Sequence, residues 1–134
     1  SFDSNSAQVD GGVAYLEISS TFTATNSSFD SNSAQEDGGV AYVRDSSIFT
    51  ATNSSFDSNS ALEYYGGVAY VRDSSTFTAT NSSFDSNSFD SNYAKNSGGV
   101  ACVFSADWNG GVAYVQESSS TFTATNSSFD SNSA

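Results

Sequence analysis

The sequence has no histidine, proline or methionine, and it has one cysteine and three basic residues in a total of 134. Without histidine, Ser-His-Asp and Cys-His catalytic arrangements are impossible, and a zinc site of the usual kind is excluded. A single cysteine cannot form a disulfide framework. So few basic residues provide no footprint for nucleic acid. No run of about 20 apolar residues is present, so the sequence predicts no membrane span.

Leucine is also scarce, since only Leu16 and Leu62 occur, whereas serine, asparagine and threonine number 31, 12 and 11. Little leucine and much serine, threonine and glycine disfavour a helical bundle. The net charge of −12 and the polar bias are typical of disordered chains. However, the chain has 11 phenylalanines and 7 tyrosines, most of which recur at fixed spacing. This periodicity predicts a folded, repetitive chain.

Three motifs alternate along the chain, with steps of 27 or 28 residues over the first repeats. The motif FDSN begins at Phe2, Phe29, Phe56, Phe84, Phe89 and Phe129. The motif GGVA begins at Gly11, Gly38, Gly66, Gly98 and Gly110, and TATNSS begins at Thr23, Thr50, Thr78 and Thr123. Two leucines exclude a leucine-rich repeat, and no segment shows the 3.6-residue period of helical repeats.

Each unit contains three short stretches of strand character, separated by glycine, asparagine and serine. In GGVAYLE, Ala14 and Leu16 share one face, while Val13 and Tyr15 share the other. We expect the Ala/Leu/Val face inside and the face ending in Glu or Arg outside, here and in later units. TFTAT places its Phe and Ala on one face, and SFDSNSA supplies a Phe and an Ala. The pattern predicts an all-β parallel β-helix solenoid with about 27 residues per coil and three short strands per coil.

Equivalent residues of such a solenoid stack on one another about 4.8 Å apart along its axis. We therefore expect two internal phenylalanine ladders, Phe2/Phe29/Phe56/Phe84/Phe129 and Phe22/Phe49/Phe77/Phe122. Aromatic pairs of this kind contribute roughly 0.5–1.5 kcal/mol each beyond area burial. A solenoid buries its core only by stacking neighbouring coils, so these ladders are expected to stabilise the fold.

The alternation of GGVA with FDSN resembles the GGA[ILV] and FxxN pair of the polymorphic outer-membrane-protein repeat, a family of microbial surface proteins. FxxN is matched six times, whereas GGA[ILV] is matched loosely, because Val13-Ala14 stands where Ala-Ile is expected. The resemblance covers nearly the whole chain. It implies a right-handed parallel β-helix, an extracellular or cell-surface location, and an adhesin or scaffold role similar to an autotransporter passenger. It implies no catalytic residues.

The whole chain, 1–134, is expected to form one β-helix segment with regular coils at 1–87 and 110–134 and an irregular insertion at about 88–109. FDSN is duplicated at Phe89, and no TFTATN stretch separates the glycine pairs at Gly98 and Gly110. A full extra coil does not fit, so we expect a projecting loop or a distorted coil. The insertion contains Lys95, Cys102 and Trp108. It is interpreted either as a docking or inter-subunit element or as a tolerated insertion. A free thiol is expected at Cys102, with an intermolecular disulfide as the alternative.

The chain begins and ends with SFDSNSA, at one phase of the repeat. Uncapped coil ends expose strand edges that can template association. The sequence therefore predicts either a piece of a longer solenoid or units that self-associate head to tail, and in both cases a long rod or filament.

One row of asparagines carries the N-x-[ST] acceptor pattern at the same position of each unit, which makes these residues candidates for N-glycosylation. They are Asn26, Asn53, Asn81 and Asn126. The alternative is a turn role, because asparagine favours tight turns. A second row lacks the acceptor pattern and is interpreted as turn or internal ladder residues: Asn5, Asn32, Asn59, Asn87 and Asn132.

The outward threonines of the TFTAT strands are candidates for O-glycosylation or for an ice-binding surface, although threonine also simply favours strands. They are Thr21, Thr23, Thr25, Thr50, Thr52, Thr76, Thr78, Thr80, Thr121, Thr123 and Thr125. Ile48 interrupts this array.

A column of aspartates is expected to stack at coil spacing, where like charges repel, take up protons or bind a cation such as Ca²⁺. It contains Asp3, Asp30, Asp57, Asp85 and Asp130. No other metal site is predicted.

A row of tyrosines is expected to be exposed and to bind carbohydrate or a neighbouring molecule. If the assignment of the two strand faces is reversed, these tyrosines are core residues instead. They are Tyr15, Tyr42, Tyr70 and Tyr114.

These features predict a structural or adhesive extracellular protein, a glycosylated β-helix rod or filament subunit without catalysis and without a cofactor other than attached glycans. The alternative is an ice- or carbohydrate-binding solenoid that uses the outward Thr or Tyr rows. Many polysaccharide-cleaving enzymes are also β-helices, but fold does not imply function. Here Arg44 and Arg72 are the only arginines, and the carboxylates repeat rather than form a unique pair.

Overall fold

The computed structural model of the chain describes residues 1–89, 101–103, 113–115 and 119–131, and every regular element in these ranges is a short β-strand. The strands are β1 (Phe2–Asp3), β2 (Ser6–Ala7), β3 (Ala14–Leu16), β4 (Thr21–Thr25), β5 (Ser28–Asp30), β6 (Ser33–Ala34), β7 (Ala41–Val43), β8 (Ile48–Thr52), β9 (Ser55–Asp57), β10 (Ser60–Ala61), β11 (Ala69–Val71), β12 (Thr76–Thr80), β13 (Ser83–Asp85), β14 (Ser88–Phe89), β15 (Ala101–Val103), β16 (Ala113–Val115), β17 (Thr121–Thr125) and β18 (Ser128–Asp130). The all-β prediction is confirmed.

Each strand pairs in parallel with its counterpart in the neighbouring coil, and identical residues usually lie opposite each other. The pairing forms four sheets, named here after their sequences. The SFD sheet contains β1, β5, β9, β13 and β18, and the SA sheet contains β2, β6, β10 and β14. The AYV sheet contains β3, β7, β11, β15 and β16, and the TFTAT sheet contains β4, β8, β12 and β17. The chain is a parallel β-solenoid, as predicted.

Three stretches per coil form strands, as the sequence indicates, and the third of them is bent. Ser31 has a positive φ of 55°, so SFDSNSA divides into β5 on one side of the bend and β6 on the other. Coils are separated by 27 residues at Asn32 and Asn59 and by 28 residues at Asn59 and Asn87. The predicted repeat length of about 27 residues is therefore confirmed.

Both predicted phenylalanine ladders run through the core. Phe29 and Phe56 stack with ring centroids 4.7 Å apart, and Phe49 and Phe77 stack at 4.9 Å. The two ladders also touch each other through tilted contacts, such as the 6.0 Å contact between Phe29 and Phe49. These rings are fully buried in the inner coils, so the ladders account for much of the apolar surface that the solenoid removes from water.

Ala41 and Val43 face the core, as predicted, and so do their counterparts in β3 and β11. The outward placement predicted for the preceding valine is wrong, because Val40 and Val68 are fully buried. The amides of Val40 and Ala41 both donate to the Val68 carbonyl, at 2.8 and 2.9 Å. Regular strand pairing therefore begins only at Ala41, and the alternation of faces does not extend back to the valine at the corner.

The second asparagine row forms an internal ladder, as predicted. Asn32 Nδ2 donates to Asn59 Oδ1 at 3.0 Å, and Asn59 Nδ2 donates to Asn87 Oδ1 at 2.9 Å. Asn59 Nδ2 also donates to the Phe29 carbonyl, and Asn59 Oδ1 also accepts the Asn32 amide. These side chains are fully buried, and the ladder satisfies the polar groups that the bend would otherwise leave without partners.

The glycine pair forms the corner that leads into the AYV sheet. Gly38 has a φ of +64°, and a Cβ there would collide with the carbonyl oxygen of Ala41. A Cβ at Gly39 would collide with the carbonyl oxygen of Gly67 in the next coil. The corner therefore combines a left-handed backbone at Gly38, which glycine adopts without steric cost, with close backbone approaches that leave no room for a Cβ at Gly38 or Gly39.

The irregular region lies mostly outside the described residues, which include β14 and β15 but neither Lys95 nor Trp108. In β15, Cys102 pairs with Tyr70, and Tyr114 of β16 pairs with Cys102. β17 pairs with β12. Both glycine-pair segments therefore add a strand to the AYV sheet, whereas one TFTAT strand follows them. The predicted boundaries of the insertion and the state of the Cys102 thiol stay predictions.

Candidate functional site

The acceptor asparagines lie in one exposed row at the corner between the TFTAT and SFD sheets. Asn26, Asn53, Asn81 and Asn126 have φ near +50°, the left-handed conformation that asparagine tolerates better than most residues. Asn53 Nδ2 donates to Asn26 Oδ1 at 3.3 Å, and Asn81 Nδ2 donates to Asn53 Oδ1 at 3.2 Å. The row thus combines the turn role with a surface position that leaves these side chains accessible to modification.

The same corner forms a shallow polar groove of about 730 Å³ along the axis. Besides the asparagines, its walls are two serine rows: Ser27, Ser54, Ser82 and Ser127, and Ser28, Ser55, Ser83 and Ser128. The first row is used by the fold, because Ser54 Oγ donates to the Thr52 carbonyl and accepts the Ser27 amide. Among the residues that the structure describes, no charged side chain lines the groove.

The threonine candidates all point outward from the TFTAT sheet in three columns. In register across the four strands, these are Thr21/Ile48/Thr76/Thr121, Thr23/Thr50/Thr78/Thr123 and Thr25/Thr52/Thr80/Thr125. The residues that alternate with them along β8, Phe49 and Ala51, point inward and are fully buried. The face is therefore a regular array of hydroxyl and methyl groups, with Ile48 as its one apolar replacement.

The aspartate column lies on the outer face of the SFD sheet, in register as predicted. Each aspartate accepts a hydrogen bond from the hydroxyl of the next serine, for example Ser31 Oγ to Asp30 Oδ1 at 2.9 Å. Within the described ranges, no group of three or more His, Cys, Asp or Glu residues could hold a metal ion. Calcium binding at this column stays a prediction.

The predicted exposed tyrosine row is wrong for two of its members. Tyr15 is exposed, but Tyr42 and Tyr70 are buried in a second cluster that also includes Tyr65. This cluster lies on the outside of the AYV sheet and is separate from the phenylalanine core. Tyr15 and Tyr42 stack nearly parallel, at 4.9 Å and 4°, and Tyr70 lies on the other side of Tyr42. Tyr42 therefore has no free ring face for stacking on a sugar. The side chain of Tyr114 lies outside the described residues.

Two aspartates beside this cluster were not predicted as site residues. Asp10 and Asp37 occupy the position before the glycine pair, where the third coil has Tyr65. Burial is the main cause that raises the pKa of Asp37 to about 7, the Asp10 carboxylate contributes to the rise, and the hydrogen bond from the Tyr65 amide opposes it. Burial and Glu36 also raise the pKa of Asp10, whose Oδ1 is inaccessible and has no hydrogen-bond partner among the described residues.

The arginines form the rim of the same cluster. Arg44 contacts Glu17 at 3.4 Å and Asp45 at 3.0 Å, and its guanidinium lies 6.0 Å from the centre of the Tyr15 ring. Arg72 contacts Asp73 at 2.7 Å and lies within hydrogen-bonding reach of the Tyr42 hydroxyl. The sequence signal for this region was a departure from the repeat, since YYGG replaces the EDGG of the preceding unit.

Within the described ranges, no helix is long and apolar enough to cross a membrane. Comparisons with protein-family models, with curated proteins and with solved structures find no match for this chain.

Proposed function

We propose that the chain forms part of an extracellular structural or adhesive β-helix rod or filament and that it performs no catalysis. The observation that carries this proposal is the repetition of the surface. The threonine, asparagine and aspartate columns present the same side chains in each successive coil. Catalysis needs one particular constellation of groups, whereas a repeated surface suits multiple equivalent contacts or attached groups along a rod.

The outermost coils favour further stacking. Phe2 and Phe22 in the first coil and Phe122 and Phe129 near the other end are only partly buried, while Phe29 and Phe49 are fully buried. Another coil in the same register would complete their burial, whether it came from the same chain or from a second copy. Repeated heterologous contacts of this kind build an open filament.

The location rests on the resemblance of GGVA and FDSN to the repeat of the polymorphic outer-membrane proteins, together with the exposed acceptor asparagines. In a eukaryotic secretory route, Asn26, Asn53, Asn81 and Asn126 are the proposed glycan attachment sites. The glycans would emerge from one corner of the rod and leave the TFTAT face open. The outward threonines are the proposed sites for O-linked sugars.

Electron microscopy and sedimentation of the purified chain over a range of concentrations test the filament. We expect rods that lengthen with concentration. Their diffraction should show the axial spacing of about 4.8 Å that is typical of stacked strands. Phe22→Asp places a charge on the stacking surface and should shorten the rods, while Thr23→Asp on the outer face of the same strand should not. A chain that stays monomeric at every concentration, or equal effects of the two variants, would contradict head-to-tail assembly.

The second candidate is ice binding, which the three in-register threonine columns favour specifically. Thermal hysteresis of the purified chain tests it. Thr50→Lys in the middle of the array should abolish activity, while Ser55→Lys on the SFD sheet should preserve it. The tyrosine row does not support carbohydrate binding, because Tyr42 and Tyr70 are buried.

A further inference from the structure

Five tyrosines form one continuous chain of ring contacts on the outside of the AYV sheet. The chain runs in the order Tyr15, Tyr42, Tyr70, Tyr65, Tyr64, with centroid separations of 4.9, 5.1, 5.4 and 6.2 Å. The repeat explains the first three members, which are stacked counterparts in successive coils. The last two come from the segment of the third coil that departs from the repeat.

The two ends of this tyrosine chain are exposed, and two of its inner members are buried. Tyr15 is 45% exposed and Tyr64 is 44% exposed, whereas Tyr42 and Tyr70 are 5% and 3% exposed and Tyr65 is partly buried. A bulky oxidant therefore reaches the ends most readily and does not reach Tyr42 or Tyr70. Rings in contact can exchange an electron, so the buried members can still take part in a reaction that starts at an end.

Oxidation of a phenol at neutral pH releases a proton as well as an electron, so a proton acceptor near the rings assists it. Asp37 and Asp10 lie near enough to influence the ionisation of Tyr42, and the guanidinium of Arg72 is beside its hydroxyl. Because burial and the Asp10 carboxylate raise the pKa of Asp37 to about 7, its carboxyl can both accept and return a proton near neutrality. Asp10 Oδ1, which has no partner in the described structure, provides a further acceptor.

We propose that this tyrosine chain is a site of oxidative cross-linking, in which Tyr15 and Tyr64 couple covalently to tyrosines of another molecule and the buried rings carry the radical between them. The oxidant is hydrogen peroxide used by a haem peroxidase. Each of two tyrosines loses one electron and its phenolic proton. The two radicals join through a carbon–carbon bond ortho to the hydroxyls, and each ring then regains its phenol from the displaced ring hydrogen. The two electrons and two protons reduce one peroxide to two waters.

The proposal does not require head-to-tail assembly or an extracellular location, so its test is independent of the filament experiment. Dityrosine formation by the monomer would support it even if no rods form. Rods without dityrosine would leave the proposed function standing and overturn this inference.

The coupling sites are tested with peroxidase and hydrogen peroxide on the full chain carrying Tyr93→Phe and Tyr114→Phe, so that only the five tyrosines remain. We expect dityrosine fluorescence and covalent dimers, with mass spectrometry locating the bonds at Tyr15 and Tyr64. Adding Tyr15→Phe and Tyr64→Phe should reduce the dimers to background. The inference is wrong if no dimers form while free tyrosine couples under the same conditions, or if the added substitutions leave the yield unchanged.

Radical transfer is tested by starting the oxidation at one end. A ruthenium photo-oxidant is attached at Glu17→Cys, two residues from Tyr15, in the same background with Cys102→Ser, and persulfate accepts the electrons. We expect cross-links at Tyr64 as well as at Tyr15. Tyr42→Phe keeps the aromatic ring but interrupts the chain, so it should remove the Tyr64 products and keep those at Tyr15. Equal Tyr64 products with and without Tyr42, or none in either protein, would overturn the transfer.

Discussion

Ile18 has a backbone conformation that is unfavourable for most residues, isoleucine included. Its φ is +55° and its side chain is 77% exposed, so a β-branched residue is held in the left-handed region with little burial in return. The same position in the next two coils is Asp45 and Asp73, also with positive φ. Aspartate and asparagine tolerate this conformation because their short polar side chains bond locally.

Replacing Ile18 by asparagine should therefore raise the free energy of unfolding by about 1 kcal/mol, because the left-handed conformation costs most residues roughly 1–2 kcal/mol. Denaturant midpoints of the purified proteins measure the change. Ile48→Asn is the matched control, since Ile48 is also exposed but lies in the regular strand β8. Equal effects of the two substitutions would show that backbone strain at Ile18 is not the cause.

Asp37 gives the chain a pH dependence of definite sign. Its pKa rises from 3.8 when unfolded to about 7 when folded, so the folded state binds the proton more tightly. The stability that Asp37 contributes is therefore largest at low pH and is lost as the pH rises from about 4 to about 7. The difference should be about 2 kcal/mol, less than the full shift implies, because Asp37 keeps some contact with solvent.

Thermal unfolding of Asp37→Asn across this pH range tests the assignment. The variant should lose most of the pH dependence between pH 4 and 7 that the unsubstituted chain shows. Asp57→Asn removes the same charge from an exposed position and so corrects for the general relief of repulsion in this acidic chain. If both variants retain the same slope, another carboxyl group is responsible.

At the scale of elements, the two asparagine rows have the same residue type and different energetic roles. The internal row holds the bend between the SFD and SA sheets, and the side chains of Asn32, Asn59 and Asn87 are fully buried. The acceptor row lies at an exposed corner and makes longer bonds of 3.2–3.3 Å. Burial decides the difference, because a buried polar group without a partner costs far more than an exposed one.

Asn59→Ala should lower the free energy of unfolding by about 3 kcal/mol, since it removes several bonds and leaves the Asn32 amide and the Phe29 carbonyl without these partners. Asn53→Gly keeps the left-handed backbone of the exposed row and should change stability by only about 0.5 kcal/mol. Chemical denaturation of both variants measures the contrast. Similar losses in the two would mean that the internal ladder contributes no more than the surface ladder.

The ladders could be predicted from the sequence because a repeat places like residues on like. The spacing of the motifs and the parallel pairing of coils were sufficient to predict the stacked positions of Phe29, Phe49 and Asn32. Val40 was misplaced because the strand begins one residue later than its alternation suggests. The burial of Tyr42 and the pKa of Asp37 could not be predicted, since both depend on contacts between neighbouring coils and on the segment that breaks the repeat.

For the whole molecule, the net charge of −12 comes from acidic residues that recur along the repeats rather than from one cluster. Asp57 lies between Asp30 and Asp85 in adjacent coils, well within the Debye length of about 8 Å at physiological ionic strength. Repulsion along this column opposes stacking of the coils. Dissolved salt should therefore stabilise the solenoid.

Melting temperatures measured from low to physiological sodium chloride should rise, and Asp57→Asn should reduce this rise more than Glu63→Gln. Both variants remove one exposed charge, but only Asp57 belongs to the column. Calcium chloride at equal ionic strength distinguishes screening from specific binding. A larger rise with calcium, lost in Asp57→Asn, would support the cation site predicted for this column.

The third coil is one residue longer than the second, and the extra residue lies between β10 and β11. Ser60 pairs with a residue 27 positions away, whereas Ala69 pairs with one 28 positions away. Identical coils could pair out of step by a whole coil during folding, with every residue still opposite its own kind. The longer coil forbids this, because a shifted pairing would put the extra residue against the wrong partner and separate Tyr65 from Asp37. The segment that breaks the repeat thus fixes the register in which successive coils pair, and with it the order of the coils.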